Sequence, residues 1–258
     1  MGRLLAIDGL NIVRRVYEAS PEPDSDLKAE IALRHALNSF RTLINGHEPT
    51  HVLAAFDYGG PTWRHTLYSG YRLSRAPMPA PLRAALPGFY ATLTKLGMHP
   101  VSLPNVEADD VIGTVVMRWL QQGRGEAVVA TTDKDLHCLI AHGALVWDHF
   151  GSEWHDHAWV EKKWGVPPEQ LPDLLALMGD ATDSVPGVSK VGLKTAAKLL
   201  RTYGTLDAIM AGAGILKDAV GEALRKEREM LYLSRELVQL KTDVAVGVSW
   251  NMLAWEQQ

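Results

Sequence analysis

The sequence predicts an α/β protein in which a mostly parallel central sheet is flanked by helices, followed by a helical region. Short apolar runs divide the first part of the chain, at 4–7 (LLAI), 51–56 (HVLAAF), 127–132 (AVVATT) and 144–147 (ALVW). Segments with helical spacing lie between several of these runs, at 27–44 and 111–122. Strands that alternate with helices indicate a parallel sheet with helices on its faces.

A change of pattern along the chain predicts two parts. The chain has 258 residues, 47% of them hydrophobic, which is enough for a substantial core in one large or two smaller domains. Strand-like runs give way to helical ones at about residue 165. We therefore expect an α/β core over 1–165 and a helical region over 166–258.

Composition excludes several classes of protein. The first apolar run is short and is followed by Asp8 and Asn11, which is not the pattern of a signal peptide. No apolar run approaches the roughly 20 residues that span a bilayer. A single cysteine, Cys138, excludes an internal disulfide and a cysteine-based zinc site. We expect a cytoplasmic protein without a membrane partner.

Acidic residues follow the predicted strands. Asp8, Asp57 and Asp133 come directly after three apolar runs, and the carboxyl ends of parallel strands meet at one edge of a sheet. Asp135 follows at a spacing of two, which returns to the same side in an extended chain. A helix that starts near residue 107 favours negative charge at its N-terminus, and three more acids stand there: Glu107, Asp109 and Asp110. The sequence therefore predicts an acidic cluster at this edge.

Such a cluster predicts a site for divalent metal ions. Carboxylates without histidine or cysteine partners suit Mg²⁺ or Mn²⁺ rather than zinc. Two such ions would activate water and stabilise the leaving oxygen during phosphodiester hydrolysis. Each acid taken alone also fits a turn or a helix cap, so the prediction depends on the whole set. The net charge of −4 does not exclude a polyanionic ligand, because bound cations would offset the local excess of acids.

The second half contains a glycine-rich segment that is typical of a tight hairpin. Residues 186–192 (PGVSKVG), named the hairpin, include Gly187 and Gly192 and precede a lysine-rich helix. Glycines permit the turn, and the N-terminus of the following helix offers free backbone N–H groups to a phosphate. The segment also fits an ordinary helical hairpin with a solvated basic face, and the residues alone leave both interpretations open.

Taken together, five motifs resemble those of the 5′-nuclease (flap endonuclease) family, which includes the 5′-nuclease domains of bacterial DNA polymerases. In chain order they are LLAIDGLNIVRR, FDYGGPTWRHTLYSGYRLSRAPMP, EADDVIG, TTDKDL and GDATDSVPGVSKVGLKTAAKLL. The resemblance covers most of the chain, to about residue 243. In length, and in having no polymerase region, the chain is similar to the stand-alone exonuclease-IX-like branch.

The resemblance implies a fold and a function. The fold is a PIN-like 5′-nuclease core with an arch at about 60–82, joined to a helix–hairpin–helix motif at about 180–203. The function is that of a structure-specific 5′ nuclease (flap endonuclease and 5′-3′ exonuclease) in DNA replication and repair, which hydrolyses DNA by a two-metal mechanism. The implied partner is DNA with a 5′ flap or a single-strand/duplex junction, bound by a monomer.

The resemblance also implies roles for individual residues. Around a first Mg²⁺ or Mn²⁺ ion it places Asp8, Asp57, Glu107, Asp109 and Asp110. Around a second ion, partly through water, it places Asp133, Asp135, Asp180 and Asp183; relatives of this branch often lack part of that set. A K⁺ ion at the hairpin would be held by Ser184 and the carbonyls of Val185 and Val191. The implied contacts to duplex DNA are Gly187, Lys190, Gly192, Lys194, Thr195 and Lys198.

The arch would contribute basic and aromatic side chains, on which a base stacks while cations contact phosphates. The residues concerned are Arg64, His65, Tyr68, Tyr71, Arg72 and Arg75. Many relatives have lysine where Arg72 stands. Arginine keeps the charge but is not deprotonated, so we expect Arg72 to contribute electrostatics only, with Arg75 as a second catalytic cation. Without the resemblance this segment fits a solvated loop. Two other functions stay open: a catalytically weak DNA-structure-binding protein and a PIN-like ribonuclease.

Overall fold

The computed structural model describes residues 2–256, which include a central sheet of six strands. The strands are β1 (Gly2–Asp8), β2 (His51–Ala55), β3 (His99–Val101), β4 (Gly125–Ala130), β5 (Leu145–Asp148) and β6 (Glu153–His155). Their order across the sheet is β3-β2-β1-β4-β5-β6. The pairs β3–β2, β2–β1, β1–β4 and β4–β5 are parallel. The predicted α/β class with a mostly parallel sheet is confirmed.

Helices connect the strands and make up most of the second half of the chain. They are α1 (Gly9–Ala19), α2 (Asp26–His47), α3 (Trp63–Leu67), α4 (Ala80–Lys95), α5 (Ala108–Gln121), α6 (His157–Trp164), α7 (Leu171–Met178), α8 (Leu193–Tyr203), α9 (Leu206–Gly212), α10 (Ala219–Lys226), α11 (Arg228–Val238) and α12 (Trp250–Leu253). Two 3-10 helices lie at Lys134–His142 and Pro168–Gln170. Among the described residues, none of these helices has the length and apolar composition that crossing a bilayer requires.

The chain forms two compact units. The sheet unit comprises the described parts of Met1–Gly60, Ala76–Trp154 and Lys241–Gln258. The helical unit comprises Pro61–Arg75 and His155–Leu240. The units therefore interleave along the chain, whereas the predicted boundary at residue 165 is a single division in sequence.

The core of the sheet unit is built around β1. Its residues from Leu4 to Ile7 have no exposed side-chain surface, since strands lie on both sides and helices cover the sheet. A strand covered on both faces has a continuous apolar sequence rather than an alternating one. The ring of Phe40 from α2 stacks on Phe56 with centroids 6.4 Å apart and meets Phe89 from α4 edge-on at 5.8 Å. This packing fixes α1, α2 and α4 against β1 and β2.

Residues after 240 return to the sheet unit. Trp255 donates its backbone N–H to the carbonyl of Thr50 at 2.8 Å, and His51 pairs with Ala254 in an isolated antiparallel bridge. The C-terminal segment is thereby attached at the start of β2.

The helical unit has its own core. α7 and α11 pack against each other, and Leu174 and Leu231 are fully buried. The segment 61–75 joins this unit through Arg64 of α3, whose guanidinium donates to the carbonyls of Leu237 at 2.7 Å and Gln239 at 3.1 Å. These carbonyls belong to the end of α11, where the last carbonyl groups have no N–H partner within the helix. Arg64 therefore ties α3 to α11.

The four apolar runs predicted as strands correspond to β1, β2, β4 and β5, and the helical segments correspond to α2 and α5. Two strands, β3 and β6, were not predicted. Each has three residues, too few to show a period of two, and β3 contains Pro100. Helices dominate after residue 165, as predicted.

Candidate active site

Asp8 lies where β1 turns into α1. Its carboxylate caps α1 by accepting from the backbone N–H of Asn11 at 3.2 Å, and it also accepts from the hydroxyl of Thr131 at 2.9 Å. The turn is tight, because a Cβ atom at Gly9 would lie 2.3 Å from the ring of Phe56. Only 5% of Asp8 is exposed. Burial, and then the charge of Asp133, raise the pKa of Asp8 from its usual value to about 7.

The segment after β4 brings two more carboxylates to the same edge. Asp133 donates its backbone N–H to Thr131 at 2.9 Å, and its carboxylate accepts from the N–H of Asp135 at 3.0 Å. The ammonium of Lys134 lies 3.2 Å from the carboxylate of Asp135. Thr131 therefore contacts both Asp8 and Asp133, which holds the ends of β1 and β4 in register.

The start of α5 adds the third group of acids. The carboxylate of Asp57, two residues after β2, accepts from the N–H of Ala108 at 2.8 Å and so caps α5. Asp109 lies in the first turn of this helix, and Glu107, at the N-cap, is 1% exposed. Burial raises the pKa of Asp109 well above its usual value, and the charges of Asp133, Asp8, Asp57 and Asp135 raise it further. The edge cluster, Asp8, Asp57, Asp109, Asp133 and Asp135, is thus one electrostatic group.

Asp110 faces a different part of the sheet unit. Its side chain is fully buried, and its carboxylate accepts from the backbone N–H of Lys241 at 2.9 Å. One step along a helix rotates a side chain by about 100°, which separates Asp110 from Asp109. Metal binding by Asp110 stays a prediction, and this geometry disfavours it.

The donor set of the edge cluster fits a divalent cation. Crowded carboxylates that repel one another are stabilised either by protons, which is what the raised pKa values of Asp8 and Asp109 express, or by a cation. All the donors are hard oxygen atoms, which suits Mg²⁺ and Mn²⁺.

In the helical unit, Asp180 and Asp183 stand between α7 and the hairpin. The carboxylate of Asp180 accepts from the N–H of Thr182 at 2.9 Å, and its backbone forms an antiparallel bridge with Val185. Asp183 is 7% exposed and accepts two hydrogen bonds from the guanidinium of Arg72, at 2.9 and 3.3 Å. The guanidinium of Arg75 lies 3.7 Å away. The two arginines predicted to be catalytic therefore meet at one predicted metal ligand.

The other predicted arch residues differ in how much of each side chain is exposed to solvent. Arg64 is 3% exposed and engaged with the end of α11, so contact between its guanidinium and DNA stays a prediction that this geometry disfavours. Tyr71 is 4% exposed; its ring meets His65 edge-on at 5.2 Å and its hydroxyl donates to Asp183 at 3.4 Å. A buried ring of this kind offers little face for stacking. Tyr68 is half-buried, and its ring lies over Gly70.

The hairpin is held by backbone contacts within the helical unit. Gly187 has a φ of 64°, and a Cβ atom there would lie 2.3 Å from the backbone nitrogen of Gly179. Its N–H donates to the hydroxyl of Ser234 at 3.1 Å, and the N–H of Val188 donates to the carbonyl of Leu177 at 2.9 Å. Gly187 therefore shapes the turn, and a contact between its amide and DNA stays a prediction that this hydrogen bond disfavours.

Lysines lie on the solvent side of the hairpin and α8. Lys190 is exposed with a φ of 63°, and Lys194 and Lys198 are exposed on α8, whose N-cap is Gly192. Thr195 is half-buried in the first turn. First-turn N–H groups have no partner within their own helix, which leaves them available to an anion.

The predicted K⁺ ligands lie around the hairpin. The carbonyl of Val185 accepts from the N–H of Asp180 at 2.9 Å, and Val191 is buried at the far end of the turn. Ser184 has a φ of 56°, and its hydroxyl lies 2.9 Å from that of Ser74. K⁺ binding stays a prediction.

Sequence reasoning missed several residues that organise these sites. Thr131 and Asn11 stand inside two of the quoted motifs and support the edge cluster; their positions beside Asp133 and Asp8 were the available signal. Glu227 accepts from both the N–H and the hydroxyl of Ser189 in the hairpin. Together with Ser234 it lies far from the hairpin in sequence, so no local signal pointed to it.

Acids gathered at the carboxyl edge of a parallel sheet are typical of a metal-dependent enzyme that acts on phosphate esters. The family model for the 5′-3′ exonuclease N-terminal resolvase-like domain matches residues 3–165, and that for the 5′-3′ exonuclease C-terminal SAM fold matches residues 166–258. The chain belongs to the 5′-3′ exonuclease family.

Curated relatives match the chain along nearly its whole length. The protein named flap endonuclease Xni from Shewanella amazonensis is 38% identical over 254 residues, which cover 98% of each chain. The protein of the same name from Shewanella baltica (strain OS155) is 36% identical over 250 residues, covering 96% of this chain and 93% of the relative.

Solved structures share the fold at low sequence identity. The 5′-exonuclease of T5, described with bound zinc, has a TM-score of 0.76 at 19% identity and covers 93% of this chain and 90% of its own. The bacteriophage T5 D15 flap endonuclease, described as a pseudo-enzyme–product complex with DNA and metal ions, has a TM-score of 0.75 at 20% identity, with the same coverage.

Proposed function

We propose that this protein is a structure-specific 5′ nuclease that hydrolyses phosphodiester bonds in DNA carrying a 5′ flap or a single-strand/duplex junction. The observation that supports it most is the edge cluster, in which burial and mutual repulsion raise the pKa of Asp8 to about 7. Repulsion among these acids opposes folding when no cation is bound, so their presence at one edge favours a ligand of opposite charge. The printed names of the relatives point to the same activity.

Mg²⁺ or Mn²⁺ is the proposed cofactor, in two ions. The first ion would be held by Asp8, Asp57, Glu107 and Asp109, with Asp110 as the predicted ligand that the geometry supports least. The second ion would be held, partly through water, by Asp133, Asp135, Asp180 and Asp183. When bound, such ions lower the pKa of a water and stabilise the leaving oxygen. The protein's own contribution is to orient the carboxylates: Thr131 and Asn11 fix the ends of β1 and β4, while the cap that Asp57 forms fixes α5.

Arg72 and Arg75 are proposed to act on the phosphate through charge. The double hydrogen bond with Asp183 holds the guanidinium of Arg72 in one orientation. A fixed donor stabilises negative charge that develops on a transferring phosphate without reorganising during the reaction. The guanidinium of Arg72 stays protonated and has no lone pair with which to accept a proton, so it is not a general base.

Duplex DNA is proposed to bind at the hairpin and the N-terminus of α8. Lys190, Lys194 and Lys198 supply positive charge there, and Gly192 and Thr195 flank the first-turn N–H groups of α8. A K⁺ ion held near Ser184, Val185 and Val191 would strengthen this contact by orienting amides toward phosphate. The exposure of the three lysines supports the proposal that duplex DNA binds here.

Three further proposals concern organisation. We propose an N-terminal nuclease domain over 1–165 and a C-terminal DNA-binding domain over 166–258, which the ranges of the two matching family models support. The protein is proposed to act as a monomer and to work in the cytoplasm.

Cleavage of end-labelled DNA tests the function. A 5′-flap duplex, its 3′-flap counterpart, a single strand and a matched RNA are incubated with and without Mg²⁺, and product sizes are read. We expect Mg²⁺-dependent cuts near the junction of the 5′ flap. Asp133→Asn should abolish them, while Asp156→Asn, at an exposed helix cap outside the cluster, should not. Binding without cleavage would favour the weak DNA-binding protein, and preference for RNA would favour the PIN-like ribonuclease.

A further inference from the structure

Glu227 makes a two-point contact with the hairpin. Its carboxylate accepts from the backbone N–H of Ser189 at 2.8 Å through one oxygen and from the Ser189 hydroxyl through the other. Hydrogen bonds to an ionised group are shorter and stronger than neutral ones. Both hydrogen bonds lower the pKa of Glu227, and the bond from the hydroxyl lowers it more than the bond from the N–H does. The carboxylate is therefore ionised where the contact forms. Ser189 is therefore fixed from both its main chain and its side chain.

The contact is one of two that reach the hairpin from α11. Ser234, fully buried, accepts from the N–H of Gly187. Glu227, at the N-cap of α11, and Ser234 are seven residues apart, which is about two helical turns and places both on one face of α11. Gly187 and Ser189 are two residues apart in the hairpin. Two side chains of α11 therefore hold two alternate hairpin residues.

The residue that follows Ser189 explains why the hairpin needs such a hold. Lys190 has a φ of 63°, in the left-handed region that costs a residue with a Cβ atom conformational energy. Such a conformation persists only where its surroundings determine it. Because Ser189 is pinned on one side and α8 begins on the other, Lys190 is presented to solvent in a defined direction.

We propose that Glu227 is a positioning residue for DNA binding: it pins Ser189 and thereby orients Lys190 and the N-terminus of α8 toward duplex phosphates. This inference rests on the proposed function, since it concerns how the hairpin binds its duplex. A loop that is ordered before binding loses less entropy when the ligand arrives.

The direction in which the Kd for duplex DNA changes separates this positioning role from a purely electrostatic one. Removing a carboxylate near a phosphate-binding surface reduces repulsion and by itself tightens DNA binding. Loss of the contact that holds the hairpin should instead weaken DNA binding. Glu227→Gln keeps the size of the side chain and removes the charge. Glu229→Gln removes the same charge at an exposed position two residues along α11.

The test measures the Kd for a 5′-flap duplex by fluorescence anisotropy in EDTA, at one salt concentration. We expect Glu227→Gln to bind about tenfold more weakly than the unaltered protein, the loss of one charge-assisted hydrogen bond. Glu229→Gln should bind equally or slightly more tightly. With Mg²⁺ present, Glu227→Gln should raise KM with little change in kcat, whereas simple loss of folded protein would lower kcat at constant KM.

Ser189→Ala provides an independent check, because Ser189 is exposed and its loss leaves the core intact. It should weaken duplex binding less than Glu227→Gln does, since the N–H of residue 189 remains. The double variant should bind no more weakly than Glu227→Gln alone. If Glu227→Gln lowers the melting temperature markedly, Ser189→Ala decides the matter.

Equal or tighter duplex binding by Glu227→Gln, or by Ser189→Ala where that variant decides, would overturn the proposal. Failure of the proposed function is a separate outcome. If the unaltered protein cleaves no flap substrate, the nuclease assignment fails, while the comparison of Kd values in EDTA still reports on Glu227.

Discussion

Asp8→Asn should make the metal-free protein more stable at pH 8, although it alters a residue at the centre of the candidate site. The pKa of Asp8 is raised from 3.8 to about 7, because the buried carboxylate lies near Asp133 and Asp57. In the unfolded chain Asp8 loses its proton at its usual pKa, and in the folded protein it keeps the proton until about pH 7. Stability therefore falls as pH rises from about 4 to about 7 and changes no further above that.

The size of the effect follows from the shift. About three pKa units correspond to about 4 kcal/mol at 1.36 kcal/mol per unit. Asparagine caps helices about as well as aspartate, so the contact with Asn11 survives. The hydrogen bond from Thr131 is weakened, which costs about 1 kcal/mol. The net gain is about 3 kcal/mol, or roughly 6–12 °C in Tm for a chain of this size.

Thermal melts in EDTA at pH 8 and pH 5 measure this effect. At pH 8 the variant should melt higher than the unaltered protein; at pH 5 the difference should shrink, because Asp8 of the unaltered protein is then protonated. Titrating groups outside the edge cluster cancel, since variant and unaltered protein are compared at each pH. Within the cluster the pKa of Asp109 should fall in the variant, because the charge of Asp8 is one of the causes that raise it. Asp156→Asn, a cap outside the cluster, should show no such dependence.

Adding Mg²⁺ should reverse the order at pH 8. A ligand at 1,000 times its Kd stabilises the protein that binds it by about 4.1 kcal/mol, which exceeds the advantage of about 3 kcal/mol that the variant has in EDTA. The unaltered protein should gain this stabilisation from Mg²⁺, and the Asp8→Asn variant should gain much less. A variant that melts below the unaltered protein in EDTA at pH 8, or that gains as much from Mg²⁺, would refute the reasoning.

Three other predictions concern cleavage and DNA binding. Asp135→Asn should abolish Mg²⁺-dependent flap cleavage while duplex binding in EDTA persists; normal cleavage at low Mg²⁺ would contradict a metal role for this residue. Arg72→Ala should slow cleavage by about 10²–10³-fold, the effect of losing one well-placed donor, whereas Arg41→Ala, an exposed arginine on α2, should not. K⁺ should tighten duplex binding relative to a bulky organic cation at equal ionic strength, measured by anisotropy, and equal affinities in both salts would argue against the K⁺ site.

Much of the fold and the centre of the candidate site could be predicted from the sequence, because both depend on local patterns. The apolar runs of β1, β2 and β4 are continuous since both faces of the sheet are covered, and this makes them visible without any knowledge of neighbours. An aspartate follows each run. Once the strands are parallel, topology alone brings Asp8, Asp57 and Asp133 to one edge.

In the helical unit, local sequence patterns did not predict which side chains are buried. The segment from Arg64 to Arg75 has the composition of an exposed nucleic-acid-binding loop, yet Arg64 and Tyr71 are buried. Arg64 caps the end of α11, which lies about 170 residues away along the chain. Burial of a basic or aromatic side chain depends on what packs against it, and composition does not contain that information.

By itself, the sequence determined the strands β1, β2, β4 and β5, that they run parallel, and which edge of the sheet collects the acids, since apolar runs and strand ends are local properties. Only the tertiary structure decided that Asp110 turns from the cluster toward Lys241, that Arg72 meets Asp183, and that Glu227 pins the hairpin. Each of these contacts joins residues at least 38 positions apart. Their geometry is set by packing of whole helices, which no short stretch of sequence records.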